Sequence, residues 1–213
     1  MTDNIRVSVD VGAYDGSSML HIARQPGNVV IAFEPLPHMA KILYRHAEQL
    51  PGKYYVMPMA LSDYDGCTTM LVTKYDRSST ILPIDQDATA SWIENWGFEV
   101  TDRVVVPVAR LDGVLHRLED HWMQDGLTWE YDILKVDAQG CDLDVLFGAG
   151  KYLTQFKTVI AEVAIVERQP YTGAHTKDEL VNYMTCMGFE VVSAVAQSNG
   201  QEENITFRNT SIG

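Results

Sequence analysis

Three short stretches carry residue types and spacings suited to chemistry. In VSVDVGAYDGSS, residues 7–18, a strand ends in Asp10 and a tight turn follows with Gly12 and Gly16. Glycines let a ligand approach the backbone, and a helix opening at Ser17 exposes unpaired N–H groups. The spacing is Gly-x-x-x-Gly, not the Gly-x-Gly-x-x-Gly of a pyrophosphate binder. The same residues also fit a plain strand-to-helix turn. In AFEPLP, residues 32–37, Glu34 ends the next strand. A carboxylate there can accept both hydroxyls of a ribose, although alone it also reads as a solvated acid. Turn and acid together point to a nucleoside-type cofactor. In DILKVDAQGCDLDVLFGAG, residues 132–150, Asp137 stands at the carboxyl end of a strand, where ligands lie in open α/β sheets. Lys135 and Asp137 share one strand face by alternation. A lysine in so apolar a strand needs a partner, because an unpaired buried charge is costly. Glu162, in TVIAEV, is the expected one.

Positioning these residues takes a particular order of elements. Strands are expected at Ile5–Val11, Val29–Phe33 and Tyr54–Met59, with helices from Ser17 to Arg24, capped by Ser17 or Asp15, and around Met39, Ile42, Leu43 and Ala47. This β-α-β-α-β run implies a parallel sheet covered on both faces. SDYDG (62–66) is a turn, and Cys67–Thr73 and Val104–Val108 are strands. Residues 74–100 read as a long loop with one short helix near Ala90–Trp96, and loops of that length inside a domain are usually functional. A helix over Asp112–Trp122, a strand over Tyr131–Val136 and a helix from Asp142 to Phe147 follow. Then come a strand over Thr158–Val163, a helix over Lys177–Met187 ending at Gly188, and a hairpin from Phe189–Val195 and Ile205–Arg208. No internal repeat appears.

Composition sets the limits. The 213 residues suit one domain at roughly 100–200 residues each. Sixteen Lys and Arg oppose 29 Asp and Glu, a net charge of −13. Such a surface repels nucleic acid and anionic membranes, so a neutral or cationic substrate is expected. Three cysteines without a CxxC pair suggest free thiols in a reducing, cytoplasmic setting. No apolar run approaches the roughly 20 residues of a membrane span. MTDNIRVSVDVG lacks the pattern of a signal peptide.

VDVGAYDGSS, FEPLP, ALSDYDG, VPVARLDGVL, LKVDAQGCDLDVLFGA and NITFRN together resemble the FkbM-type methyltransferase family, in the family's order and across about residues 5–209. The resemblance implies an α/β, Rossmann-like class I methyltransferase: a seven-stranded, mostly parallel sheet ending in an antiparallel hairpin, with helices on both faces. It implies S-adenosylmethionine as cofactor and a sugar hydroxyl as acceptor, in a glycan or glycosylated metabolite, such as the deoxysugar rhamnose. Asp10, Gly12, Ala13 and Gly16 would line the methionine and ribose portion, and Glu34 would take the ribose hydroxyls. Ser62 and Asp63 would flank adenine, and Asp137 would lie nearest the transferring methyl. Ser78 and Ser79 fall in the family's serine-rich loop and would contact substrate. Gln139 replaces the glutamate usual in the family's Lys-x-Asp-x-Glu-Gly motif; an uncharged Gln still hydrogen-bonds ligand or backbone.

Methyl transfer to a hydroxyl needs positioning and proton removal. Asp137 and His175 are candidate bases. Alternatively, Asp137 and Glu162 would hold Mg²⁺ or Mn²⁺, which lowers the hydroxyl's pKa, unless Glu162 is tied to Lys135. Residues 164–179, with Glu167, Arg168, Tyr171 and His175, would hang over the site as a lid. Tyr171 and Trp92 or Trp96 would stack on a sugar, or the tryptophans would serve as core anchors. Competing classes are a NAD-dependent oxidoreductase and a non-catalytic cofactor-binding domain. The expected single catalytic domain spans residues 1–213 with little before its first strand, which suggests excision from, or work beside, a larger glycan-building polypeptide with glycosyltransferase domains.

Overall fold

A computed structural model describes residues 4–92 and 95–212. It opens with β1 (Asn4–Val11), α1 (Leu20–Ala23), β2 (Asn28–Phe33), α2 (Pro37–Gln49) and β3 (Tyr54–Met57). Pro37 starts α2, where its missing N–H has no intrahelical partner to lose. Helix α1 is shorter than expected. Asp15 commits its carboxylate to Ser17 N–H at 3.0 Å, and Met19 enters the helix with no side-chain cap.

After β4 (Ala60–Leu61), β5 (Gly66–Thr73) pairs antiparallel with β6 (Val100–Ala109). These three form a separate sheet in the order β4-β6-β5, rather than joining the main one. Between β5 and β6 lie 3₁₀ turns at Asp76–Ser78 and Asn95–Phe98, and α3 (Gln86–Thr89). The helical turn thus precedes the expected Ala90–Trp96, because Asp85 caps it by accepting from Asp87 N–H and Ala88 N–H. Ile93 and Glu94, within that expected helix, lie outside the described residues.

The chain continues through α4 (Leu111–Gln124), β7 (Thr128–Val136), α5 (Asp142–Gly148), β8 (Thr158–Ala164), α6 (Lys177–Cys186), β9 (Phe189–Gln197) and β10 (Glu202–Asn209). Thr176 and Glu179 form a capping box that starts α6. The main sheet has seven strands in the order β3-β2-β1-β7-β8-β10-β9. β10 runs antiparallel to both β8 and β9; the other pairs are parallel. The chain therefore has the Rossmann-like methyltransferase fold, its parallel strands closed by a hairpin. Val7, Val9 and Val11 alternate into the larger core with Leu111, Leu115, Leu134 and Leu146, all fully or nearly fully buried. Period-2 alternation turns Asp10 away from that core.

The register fixes the site. Val11 pairs with Phe33 and with Val136, and Val136 pairs with Ala161. The residues that follow, Gly12, Glu34, Asp137 and Glu162, therefore stand in one row along the carboxyl edge.

Candidate active site

All four residues of that row line one cavity of about 360 Å³. At one end, Gly12 has φ +69, and a Cβ there would sit 1.9 Å from the Asp137 carbonyl oxygen. Only glycine lets β1 turn this close to β7. Glu34 accepts from Tyr14 N–H and Leu36 N–H, both at 2.8 Å. Burial pushes its carboxyl up to about 7 despite those two bonds. A carboxylate has about four lone-pair positions, so two remain for a ligand. Met59, Ala60, Leu61 and Cys141 line the adjoining wall. Burial raises the Cys141 thiol, so it stays an inert packed group.

At the other end an amide joins two acids. Gln139 Nε2 donates to Asp137 Oδ1 at 2.7 Å and to Glu162 Oε2 at 3.1 Å. Its Oε1 accepts from the Tyr171 hydroxyl at 2.7 Å, and its carbonyl accepts from Thr80 Oγ1 at 2.8 Å. The reverse amide orientation would point oxygen at two carboxyl groups. Gln139 holds φ +49, a strained value for a non-glycine residue. Asp142 anchors the same loop through Ala138 N–H and Gly140 N–H, and burial pushes its carboxyl up to about 7. Burial, then the charge of Asp137, pushes Glu162 up to about 10. Glu162 thus holds a proton more readily than an ordinary carboxyl.

Lys135 departs from the expected pairing. Its Nζ lies 3.5 Å from Asp137 and 3.6 Å from Asp10, not on Glu162, which is engaged by Gln139. Burial opposes the lysine's charge, but Asp137, Asp10 and Glu162 outweigh it and raise its pKa. Asp10 is fully buried behind the row, and burial lifts its carboxyl to about 6.

Asp137 and Glu162 do not fit a divalent cation. The space between them holds an N–H donor, where a metal needs electron pairs. Among the described residues there is also no group of three or more His, Cys, Asp or Glu side chains suited to a metal.

Other candidates fall in different places. Ser78 lines the cavity, whereas Ser79 is buried and accepts from Thr73 N–H at 3.1 Å. Ser62 and Asp63 lie just beyond the lining, with the Asp63 carbonyl held by Arg110 at 2.8 Å. Ala13 is buried in the smaller core, and Gly16 packs on Tyr54 and Leu43. The expected lid is hydrogen-bonded to the loop at residues 83–85. Asp85 N–H donates to the Pro170 carbonyl and Thr172 N–H to the Pro83 carbonyl, each at 2.8 Å. Arg168 grips Asp85 through two bonds of 2.8 Å. Tyr171 is buried with Phe98 and Trp92, and its hydroxyl meets the site at Gln139 Oε1 and, at 3.2 Å, at the Ser78 carbonyl. Trp92 lines the cavity, while Trp96 is exposed and rests on Tyr75. His175 lies outside this cavity, 3.1 Å from Asp144 and edge-on to Phe147.

Further lining residues are Tyr14, within the glycine turn but given no role there, and, outside any motif, Tyr75, Arg77 and Thr80, with Gln197, Ser198, Asn199 and Glu202 from the β9–β10 hairpin. The hairpin was expected from sequence, but its approach to the cavity depends on the strand order.

The profile of the methyltransferase FkbM domain matches residues 10–191. The chain belongs to the FkbM methyltransferase family. This membership sets aside a NAD-dependent oxidoreductase. The AMB antimetabolite synthetase AmbE of Pseudomonas aeruginosa is 29% identical over 208 residues. That match covers 87% of this chain but only 10% of the synthetase, so the chain spans about a tenth of that relative's length. Among solved structures, WbdD in complex with a kinase inhibitor gives a TM-score of 0.50 at 10% identity, over 95% of this chain and 35% of that one. A putative RNA methyltransferase from Pyrococcus horikoshii gives 0.47 at 11%, over 95% and 74%. The likeness to WbdD concerns the fold alone. Among the described residues, no helix is long and apolar enough to cross a membrane.

Proposed function

We propose that this FkbM-family methyltransferase uses S-adenosylmethionine to methylate a hydroxyl of a saccharide acceptor. One observation carries the reading: Gly12, Glu34, Asp137 and Glu162 stand in register on one sheet edge and open on one cavity. The residues fit an adenosyl group. Gly12 leaves a cradle that a Cβ would fill, and Glu34 keeps lone pairs for two ribose hydroxyls. Hydroxyls bound there favour the ionised form of Glu34.

The cofactor supplies a methyl group on a sulfonium, an already activated leaving group. The chain must hold the acceptor hydroxyl in line and remove its proton. Asp137 Oδ1 is fixed by Gln139, which leaves Oδ2, near Lys135, to take that proton. Lys135 Nζ, 3.5 Å from Oδ2, places a positive charge beside that oxygen. Glu162 carries a proton and serves as a hydrogen-bond donor to the acceptor, not as the base. The aromatic rings of Trp92 and Phe98 beside these polar groups suit the apolar face of a sugar. His175 is a weaker candidate for the base because Asp144 holds it outside the cavity.

The match inside a much longer synthetase favours a second reading, in which the acceptor hydroxyl is presented by a larger polypeptide that includes this domain. Incubation with methyl-labelled S-adenosylmethionine and either free sugars or a carrier-bound acceptor, followed by mass spectrometry, separates the two. Methyl gain on a free sugar is expected; label in neither would leave a non-catalytic binding domain.

A further inference from the structure

The cavity is lined by four carboxyl side chains, Glu34, Asp137, Glu162 and Glu202, and by one cationic side chain among the described residues, Arg77. Arg77 is exposed in the 3₁₀ turn at Asp76–Ser78. Its guanidinium lies over the Tyr14 ring, 4.6 Å from the centroid. It makes no ion pair or hydrogen bond among the described residues. Asp15 feels its charge without forming an ion pair with it. Asp76, next in the chain, is taken by His38 at 2.8 Å.

The platform beneath Arg77 is fixed. Tyr14 holds φ +51 in the glycine turn, and its N–H is tied to Glu34 Oε2 at 2.8 Å. The turn carrying Arg77 is anchored by Ser79, which accepts from Thr73 N–H. A guanidinium stacked on a ring is pre-organised, and its fork matches a carboxylate.

We propose that Arg77 receives the amino-acid carboxylate of the S-adenosyl cofactor, a role that rests on the cofactor reading above. Charge complementarity supports this role. The cofactor carries a single anionic group, and every other charged side chain lining the cavity would repel it. Arg77 is the one complement, and Tyr14 couples it directly to Glu34, the acid read as the ribose acceptor.

Calorimetric titration of the full chain tests this with two probes. One is S-adenosylhomocysteine; the other is its decarboxylated analogue, which keeps the amine. The Arg77→Met variant should bind S-adenosylhomocysteine about tenfold or more weakly, and the analogue as the wild type does. Arg77→Lys should fall between, because it keeps the charge but loses the fork. Equal losses for both probes, or no loss for either, would overturn the inference while leaving the cofactor reading intact. Failure of the wild-type chain to bind S-adenosylhomocysteine would remove the cofactor reading itself.

Discussion

The two ends of the cavity are built differently. The end formed by Gly12, Tyr14 and Glu34 is made of consecutive strand ends and backbone N–H groups. Its key contacts follow from the pairing of β1 with β2 and β7. The end formed by Asp137, Gln139 and Glu162 depends on side chains brought from far apart: Thr80 and Tyr171 clamp Gln139, and the β9–β10 hairpin supplies Glu202. The first end is rigid because a sheet edge is rigid. The second is a hydrogen-bonded acidic network, in which one amide neutralises the contact between two acids and every member affects the others. The division suits the proposed cofactor at one end and the proposed acceptor at the other.

Asp137→Asn should separate the ends most sharply. Loss of the proposed base should lower turnover by roughly 10²–10⁴-fold, with S-adenosylhomocysteine affinity within a few-fold of wild type in titration calorimetry. A comparable loss of affinity would break the division. Gly12→Ala attacks the seam between the ends, since its Cβ meets the Asp137 backbone. A cost of about 3 kcal/mol or more is expected in urea unfolding, from overlap and the positive φ together. Tyr171→Phe removes one bond to Gln139 and should cost about 1 kcal/mol, with a larger effect on turnover than on cofactor affinity.

The acidic network also sets a pH dependence. Asp10, Glu34, Asp142 and Glu162 all have carboxyls raised in the folded chain, to about 6, 7, 7 and 10. Their protonated forms are accommodated in the fold, so their contribution is complete below the unfolded carboxyl pKa. It is lost as pH rises through the folded values. The urea midpoint of the ligand-free chain should therefore fall from pH 5.5 to 8, and Glu162→Gln should flatten that fall at its alkaline end. A rising midpoint would contradict the assignment. The smallest expected effect is chelation: thorough EDTA treatment should leave turnover unchanged, because the Gln139 amide stands between Asp137 and Glu162.

What could be read from sequence follows the same division. Strand ends announce themselves through local pattern, so Gly12, Glu34, Asp137 and Glu162 were legible, as were the hairpin and the sheet class. The partner of Lys135 was not. Alternation identified its face, but β1 and β7 pair side by side in the sheet, which brings Asp10 to it, while Gln139 claims Glu162. The contacts of residues 164–179 were not legible either, because nothing local shows that Pro83 and Asp85 bond to residues 170 and 172. Arg77 carried no motif at all; its stack on Tyr14 joins two segments that only the fold brings together.

The central claim is that one sheet edge holds the cofactor at Glu34 and presents its sulfur to Asp137. A crystal structure of the chain with S-adenosylhomocysteine tests it most directly. The account predicts ribose hydroxyls within hydrogen-bond reach of Glu34, the homocysteine arm over Gly12 and the sulfur facing Asp137. Ligand bound elsewhere, with Glu34 and Asp137 untouched, would contradict it.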